Sequence, residues 1–197
     1  METLDNPSSL QKQPYLGDSI NIATRSVHAK LNKSILAYLP LALPPQTHNP
    51  SLYVSGLLHI APVYLAFESL WQDLLDSHEQ TQPSAEDDEH PPNPERVHSI
   101  LRALHLPGLM RAESLLSDIR ALTGWTDAVV DHEINAVSQT GPLADFLTHI
   151  HHTINNHPPT LIAYAWILYM ALFSGGRFIR ATLESAGPAF WHAAGWW

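Results

Sequence analysis

Four groupings of residues have types and spacings that chemistry could use. His28 closes the stretch Ala23-Thr24-Arg25-Ser26-Val27-His28, at the border of a helical apolar face, where it can point into a cleft. Asn32, one turn on, can accept a hydrogen bond from Nδ1–H and leave Nε2 as a metal ligand. The same spacing also describes an ordinary half-buried histidine. Ser174-Gly175-Gly176 interrupts an otherwise strong helical pattern. Two interior glycines cost about 1 kcal/mol each relative to alanine, which points to a backbone that bends or approaches something closely. Tight helix packing, or a helix end capped at Gly175, would use the same residues. His149, His151, His152 and His157 form a histidine-rich patch in which His149 and His152 lie one turn apart and could share a metal. A solvated helix end accounts for that patch as well. Glu95-x-x-His98 is half of a di-iron bundle signature, with Glu68, Glu113 and Glu184 as further carboxylates but no second pair. Neither a G-x-S-x-G elbow nor a P-loop occurs.

Composition narrows these options. The chain has 197 residues, 45% hydrophobic, which suits one domain with a real core. It has no cysteine and 13 histidines, so thiolate ligation, zinc ribbons, iron–sulfur clusters and disulfide frameworks are excluded. Any metal or heme must be held by histidine, carboxylate, tyrosine or methionine. Ten basic against 19 acidic residues give a formal charge of −9, which repels phosphate backbones and argues against a nucleic-acid partner. The first 16 residues lack the basic-then-apolar order of a signal peptide. The apolar run Leu161 to Phe173 is too short to cross a bilayer. An intracellular, cytoplasmic protein without a membrane span is the expectation.

The elements that must position these residues are helices. Asp18 can cap a first helix to about Leu39, ended by Pro40 and Pro44-Pro45. A second, apolar nearly all round and therefore interior, runs from Asn49-Pro50 to about Asp76 with Pro62 as a kink point. Further helices are expected from Asn93-Pro94 to Leu104, Leu109 to Leu122, Thr126 to Val137 and Pro142 to Asn155, with breaks at Leu106-Pro107-Gly108, Gly124 and Gly141. The last long helix opens at Pro158-Pro159-Thr160 and continues through the glycine pair to about Ala186. The expected organisation is a flexible segment 1–17, one all-α bundle domain over 18–187 with an acidic, Pro-rich loop at 78–94, and an aromatic tail 188–197 that would be sticky if exposed.

Taken together, two blocks carry a resemblance. Ala23 to His28 resembles the first helix of heme oxygenases, where the histidine of such an A-T-x-x-V-H stretch is the proximal heme ligand. Leu57-Leu58-His59-Ile60 through Phe67-Glu68 looks like that family's second helix, and Ala163 to Arg180 is similar to its distal helix, whose S-G-G lies over the porphyrin. The resemblance spans about 18–76 and 143–187; residues 95–140 match only in helical character.

The resemblance implies a multi-helix heme-oxygenase-like bundle that holds heme between the first helix and the Ser174-Gly175-Gly176 helix. It implies His28 as axial ligand through Nε2, with Thr24 and Asn32 on the same helix. Asn32 stands where a carboxylate is usual. Ser174, Gly175 and Gly176 would form the distal catalytic bend, Tyr169 would be a distal-side tyrosine, and Arg177 and Arg180 would offer basic contacts to a propionate or a reductase. The implied reaction is cleavage of heme to biliverdin, CO and iron, with O2 and an external electron donor. Leu172 stands where the family has an aspartate that holds a distal water network; a leucine neither accepts a hydrogen bond nor orders water. Trp166 and Asn21 replace a usual tyrosine and a usual basic residue, and the family continues for several helices beyond the point where this sequence ends. A heme-binding or interaction protein without turnover, or a di-iron oxygenase on the same bundle, therefore stays open beside the enzyme.

Overall fold

A computed structural model describes residues 15–79 and 94–192. Among them the chain forms eight α-helices and no strand: α1 Leu16–Tyr38, α2 Ser51–Glu79, α3 Pro94–Leu104, α4 Ala112–Thr123, α5 Asp127–Ser138, α6 Gly141–Asn156, α7 Thr160–Glu184 and α8 Pro188–Trp191. This is the all-α architecture that the helical periodicities predict. Most of the 1–17 segment, the interior of the acidic loop and the last five residues of the tail lie outside the described residues.

Local chemistry explains most boundaries. α1 starts before Asp18, because the Tyr15 carbonyl already accepts the Ser19 amide at 3.1 Å; Asp18 sits in the first turn rather than capping it. The helix expected from Leu109 starts three residues later. Pro107 to Leu109 form a 3₁₀ turn, and α4 opens only at Ala112. It closes at Gly124, whose φ of 72° places it in the left-handed region and lets its amide reach the Arg120 carbonyl at 2.8 Å. α7 passes through Gly175 and Gly176 as continuous helix and ends two residues short of Ala186.

Contacts divide the chain after Leu36, where the sequence reading has one domain from residue 18. In the first unit, the described part of α1 contains no buried residue. The second unit is built around α2, which touches α3, α4, α5, α6 and α7; it is the central helix but not the wholly covered one its apolar circumference predicts, since Leu52 and Ile60 are exposed. Its N-terminal half buries Val54, Leu57, Leu58 and Ala61 against Ile119 of α4 and Val130 and Ile134 of α5. Its C-terminal half buries Tyr64, Phe67, Leu70, Trp71 and Leu75 against Leu101, Ile150, Ile154, Leu161, Ala165 and Tyr169. Large apolar side chains buried in this way contribute about 2 kcal/mol each before the entropy of ordering is subtracted. The Trp71 indole N–H donates to the Leu101 carbonyl at 3.2 Å, so that this ring is buried without an unmet donor.

Among the described residues, two helices are long and apolar enough to cross a membrane by length and composition, α2 over Ser51–Ser77 and α7. Continuation of α7 past Phe173 makes it longer than the apolar run in the sequence. α2 serves as the core helix of the second unit.

Candidate functional site

On α1, His28 is exposed, and its Nδ1 lies 3.5 Å from Asn32 Nδ2. The expected partner atom is the Asn32 oxygen, but the amide nitrogen faces the ring. In this orientation the amide can donate to Nδ1; reversing the amide about its last torsion brings Oδ1 to the same place, where it can accept from Nδ1–H and leave Nε2 to bind a metal. Thr24 donates from Oγ1 to its own helix, at the Ile20 carbonyl, 2.8 Å away. This i−4 bond satisfies the hydroxyl without any group outside α1.

On α7, two of the three explanations for the glycine pair fall away. Positive φ among the described glycines occurs at Gly124, Gly141 and Gly187, so Gly175 is no helix cap. A Cβ built on Gly176 would meet nothing within 4 Å, and one on Gly175 only Ile179 of the same helix at 4.0 Å. Close packing by another helix therefore does not account for them. Ile167, Met170, Phe173 and Phe178 are exposed apolar residues along the same stretch. Arg177 is exposed, and Arg180 donates from Nε to Glu184 at 2.7 Å. The side chains of Leu172 and Ser174 lie outside the described residues.

Tyr169 is an interior residue, 5% exposed, with its ring edge-on to Phe67 at 5.6 Å. Its hydroxyl donates to Glu68 Oε1 at 3.3 Å and lies 3.4 Å from the Met110 sulfur. Burial, and then the negative charge of Glu68, raise its pKa, so that it stays a neutral donor. Glu68 is the residue that spacing alone could not place. Its Oε1 accepts the Arg111 amide at 2.6 Å and its Oε2 the Ala112 amide at 3.0 Å. One carboxylate on α2 thus caps the otherwise unmet donors at the start of α4, where the helix dipole favours negative charge. Tyr64 adds a second bond to α7, donating from its hydroxyl to the Leu168 carbonyl at 3.1 Å.

The remaining metal candidates are engaged elsewhere or exposed. Glu113 pairs with Arg120, Glu184 with Arg180, and His98 Nε2 lies 3.2 Å from the Leu75 carbonyl. His149, His151, His152 and His157 are all exposed, with His149 beside Thr153 and His152 beside Asn156. Among the described residues, no three His, Asp or Glu side chains are grouped to hold a metal ion. The aromatic tail is partly folded back. Phe190 is buried, and Trp191 stacks edge-on against Tyr53 at 5.1 Å.

A family model described as heme oxygenase matches residues 89–188. The match includes the glycine pair and Tyr169 and also takes in residues 95–140, while Thr24, His28 and Asn32 lie outside it. The heme-binding protein HMX1 of Saccharomyces cerevisiae (strain ATCC 204508 / S288c) is 28% identical over 171 residues, 85% of this chain and 49% of that protein. The chain thus spans about half the length of the curated relative it matches. No solved structure matches it.

Proposed function

The chain belongs to the heme oxygenase family, and from that membership we propose that it binds heme and, supplied with O2 and electrons, cleaves it. The observation that carries this reading is the glycine pair: bare backbone on a continuous helix, with no other described element of its unit filling the space a side chain would take. A flat, apolar macrocycle is a ligand that such a surface can approach closely. The chemistry of residues in each unit supports this reading. The exposed imidazole of His28 would supply a nitrogen donor, and Ile167, Met170, Phe173 and Phe178 are exposed apolar side chains along the glycine helix.

The chemistry heme supplies when bound is its own oxidative opening to biliverdin, CO and iron, with O2 and an external electron donor. The chain's part is to hold and to shield. His28 would hold the iron through Nε2, with Asn32 turning its oxygen toward Nδ1–H; an amide would accept that bond but donate less electron density than a carboxylate. Gly175 and Gly176 leave room at the macrocycle face. Arg177 is available to a propionate or to an electron-donating reductase, and Arg180 could serve likewise after leaving Glu184. An intracellular, cytoplasmic setting belongs to the same reading, supported by the absence of cysteine.

Titration of hemin into the purified protein tests this directly. The expected result is a Soret band that is lost in His28→Ala and bleaches, with biliverdin formed, on adding a reductase under O2. Absence of a Soret band in the wild type would overturn the proposal. Leu172 favours a second reading, a protein that holds heme without turning it over, because leucine cannot order the distal water that delivers protons. A Soret band that persists under reductant and O2, but bleaches in Leu172→Asp, would select it.

A further inference from the structure

Helix α7 is tied to α2 directly in its first half and through Trp191 of α8 at its end, with a span between them in which no described residue is buried. Before the glycines, Leu161, Ala165 and Tyr169 are buried, Tyr64 bonds the Leu168 carbonyl, and Tyr169 bonds Glu68. From Met170 to Thr182 no described residue is buried. After this span the chain turns at Gly187, with φ 77°, into α8. There the Trp191 indole N–H donates to the Leu183 carbonyl at 3.2 Å, adding a donor to the last turn of α7. The same ring lies edge-on to Tyr53 at 5.1 Å and to the buried Phe190 at 4.8 Å. Tyr53 is in the first turn of α2, so Trp191 joins the end of α7 to the beginning of α2.

We propose that Trp191 is a positioning residue: a latch that fixes the far end of the glycine-bearing span of α7 and so sets how closely that span can hold a ligand. From Leu168 to Leu183 is 15 residues, about 22 Å of helix at the ordinary rise. Two interior glycines make that stretch locally weak, and a weak helix anchored at one end frays toward the other. Anchored at both ends, it keeps its place. Phe190 and Trp191 of the tail thereby acquire a task inside the molecule. The latch stands on contacts of α2, α7 and α8 alone; its effect on a ligand rests on the heme reading above.

Hydrogen exchange of the full-length protein without hemin, followed by hemin dissociation into excess apomyoglobin, tests both parts. In Trp191→Ala the amides of residues 177–184 should exchange about tenfold faster, with residues 161–169 unchanged. Hemin should leave about tenfold faster as well. Trp191→Phe keeps an aromatic ring against Tyr53 but removes the N–H, and should restore part of the protection. It also serves if the alanine variant loses its helical circular dichroism. Exchange in residues 177–184 equal to wild type in both variants would overturn the latch. Faster exchange with unchanged hemin dissociation would overturn the positioning role. If the wild type takes up no hemin, the heme reading fails, the positioning role falls with it, and the exchange comparison alone decides the latch.

Discussion

Helices α2 and α7 are alike in the sequence and differ in the fold. Both are long and apolar enough to pass for membrane spans, yet 56% of the most apolar part of α2 is buried against 12% of that of α7. α2 lies against α3, α4, α5, α6 and α7 and buries Val54, Phe67 and Trp71 along its length, while Leu52 and Ile60 stay exposed. α7 packs on α2 and α6 through Leu161, Ala165 and Tyr169, and then exposes Met170, Phe173 and Phe178. Hydropathy reports that a helix is adapted to leave water. It does not report what covers it. For α2 the cover is the rest of the bundle, and for the second half of α7 a bound apolar ligand is the proposal that the open glycines favour.

Paired truncations give the largest test of this contrast. Trp71 is 1% exposed and donates to Leu101, so Trp71→Ala should cost about 4 kcal/mol from the cavity and the lost packing. Phe173 is 59% exposed, and Phe173→Ala should stay within about 0.5 kcal/mol. Urea unfolding of the hemin-free protein measures both. A Phe173→Ala loss as large as that of Trp71→Ala would break the contrast between the helices.

A smaller effect is expected at Glu68, where the two helices are joined. Glu68→Ala leaves the Arg111 and Ala112 amides and the Tyr169 hydroxyl without their acceptor, which should cost about 2 kcal/mol. A double-mutant cycle with Tyr169→Phe should show the two losses to be less than additive, because they share one bond. Full additivity would mean that the Glu68–Tyr169 bond adds nothing measurable to the hold of α2 on α7.

Glu68 also marks the limit of what the sequence discloses. Seven of the eight described helices, their breaks and their order were legible because prolines, Gly124 and Gly141 act within a few residues of themselves, whereas α8 lies in what the sequence offers only as an aromatic tail. Residue pairs remote in sequence were not. Glu68 caps amides 43 and 44 positions away, and nothing local distinguishes it from a metal-binding carboxylate. Nor does local composition show that Trp191 finds Tyr53 at the other end of the second unit. Of the candidate site, the glycine pair could be singled out from its cost within a helix, whereas the interior role of Tyr169 depends on Phe67 and Glu68.

The smallest change separates the explanations most cleanly. Gly176→Ala adds one methyl where nothing lies within 4 Å, so no clash opposes it. Alanine is the better helix former, and the variant should be more stable than wild type by about 1 kcal/mol in urea unfolding. If the bare backbone exists to admit a macrocycle, that same methyl should weaken hemin binding by about tenfold, near 1.4 kcal/mol. The two measurements then move in opposite directions, which neither a packing glycine nor an idle one would produce. A packing glycine would lose stability, and an idle one would gain it with hemin binding unchanged. Either result would remove the reason for treating the exposed half of α7 as a ligand surface and would leave its difference from α2 without a functional cause.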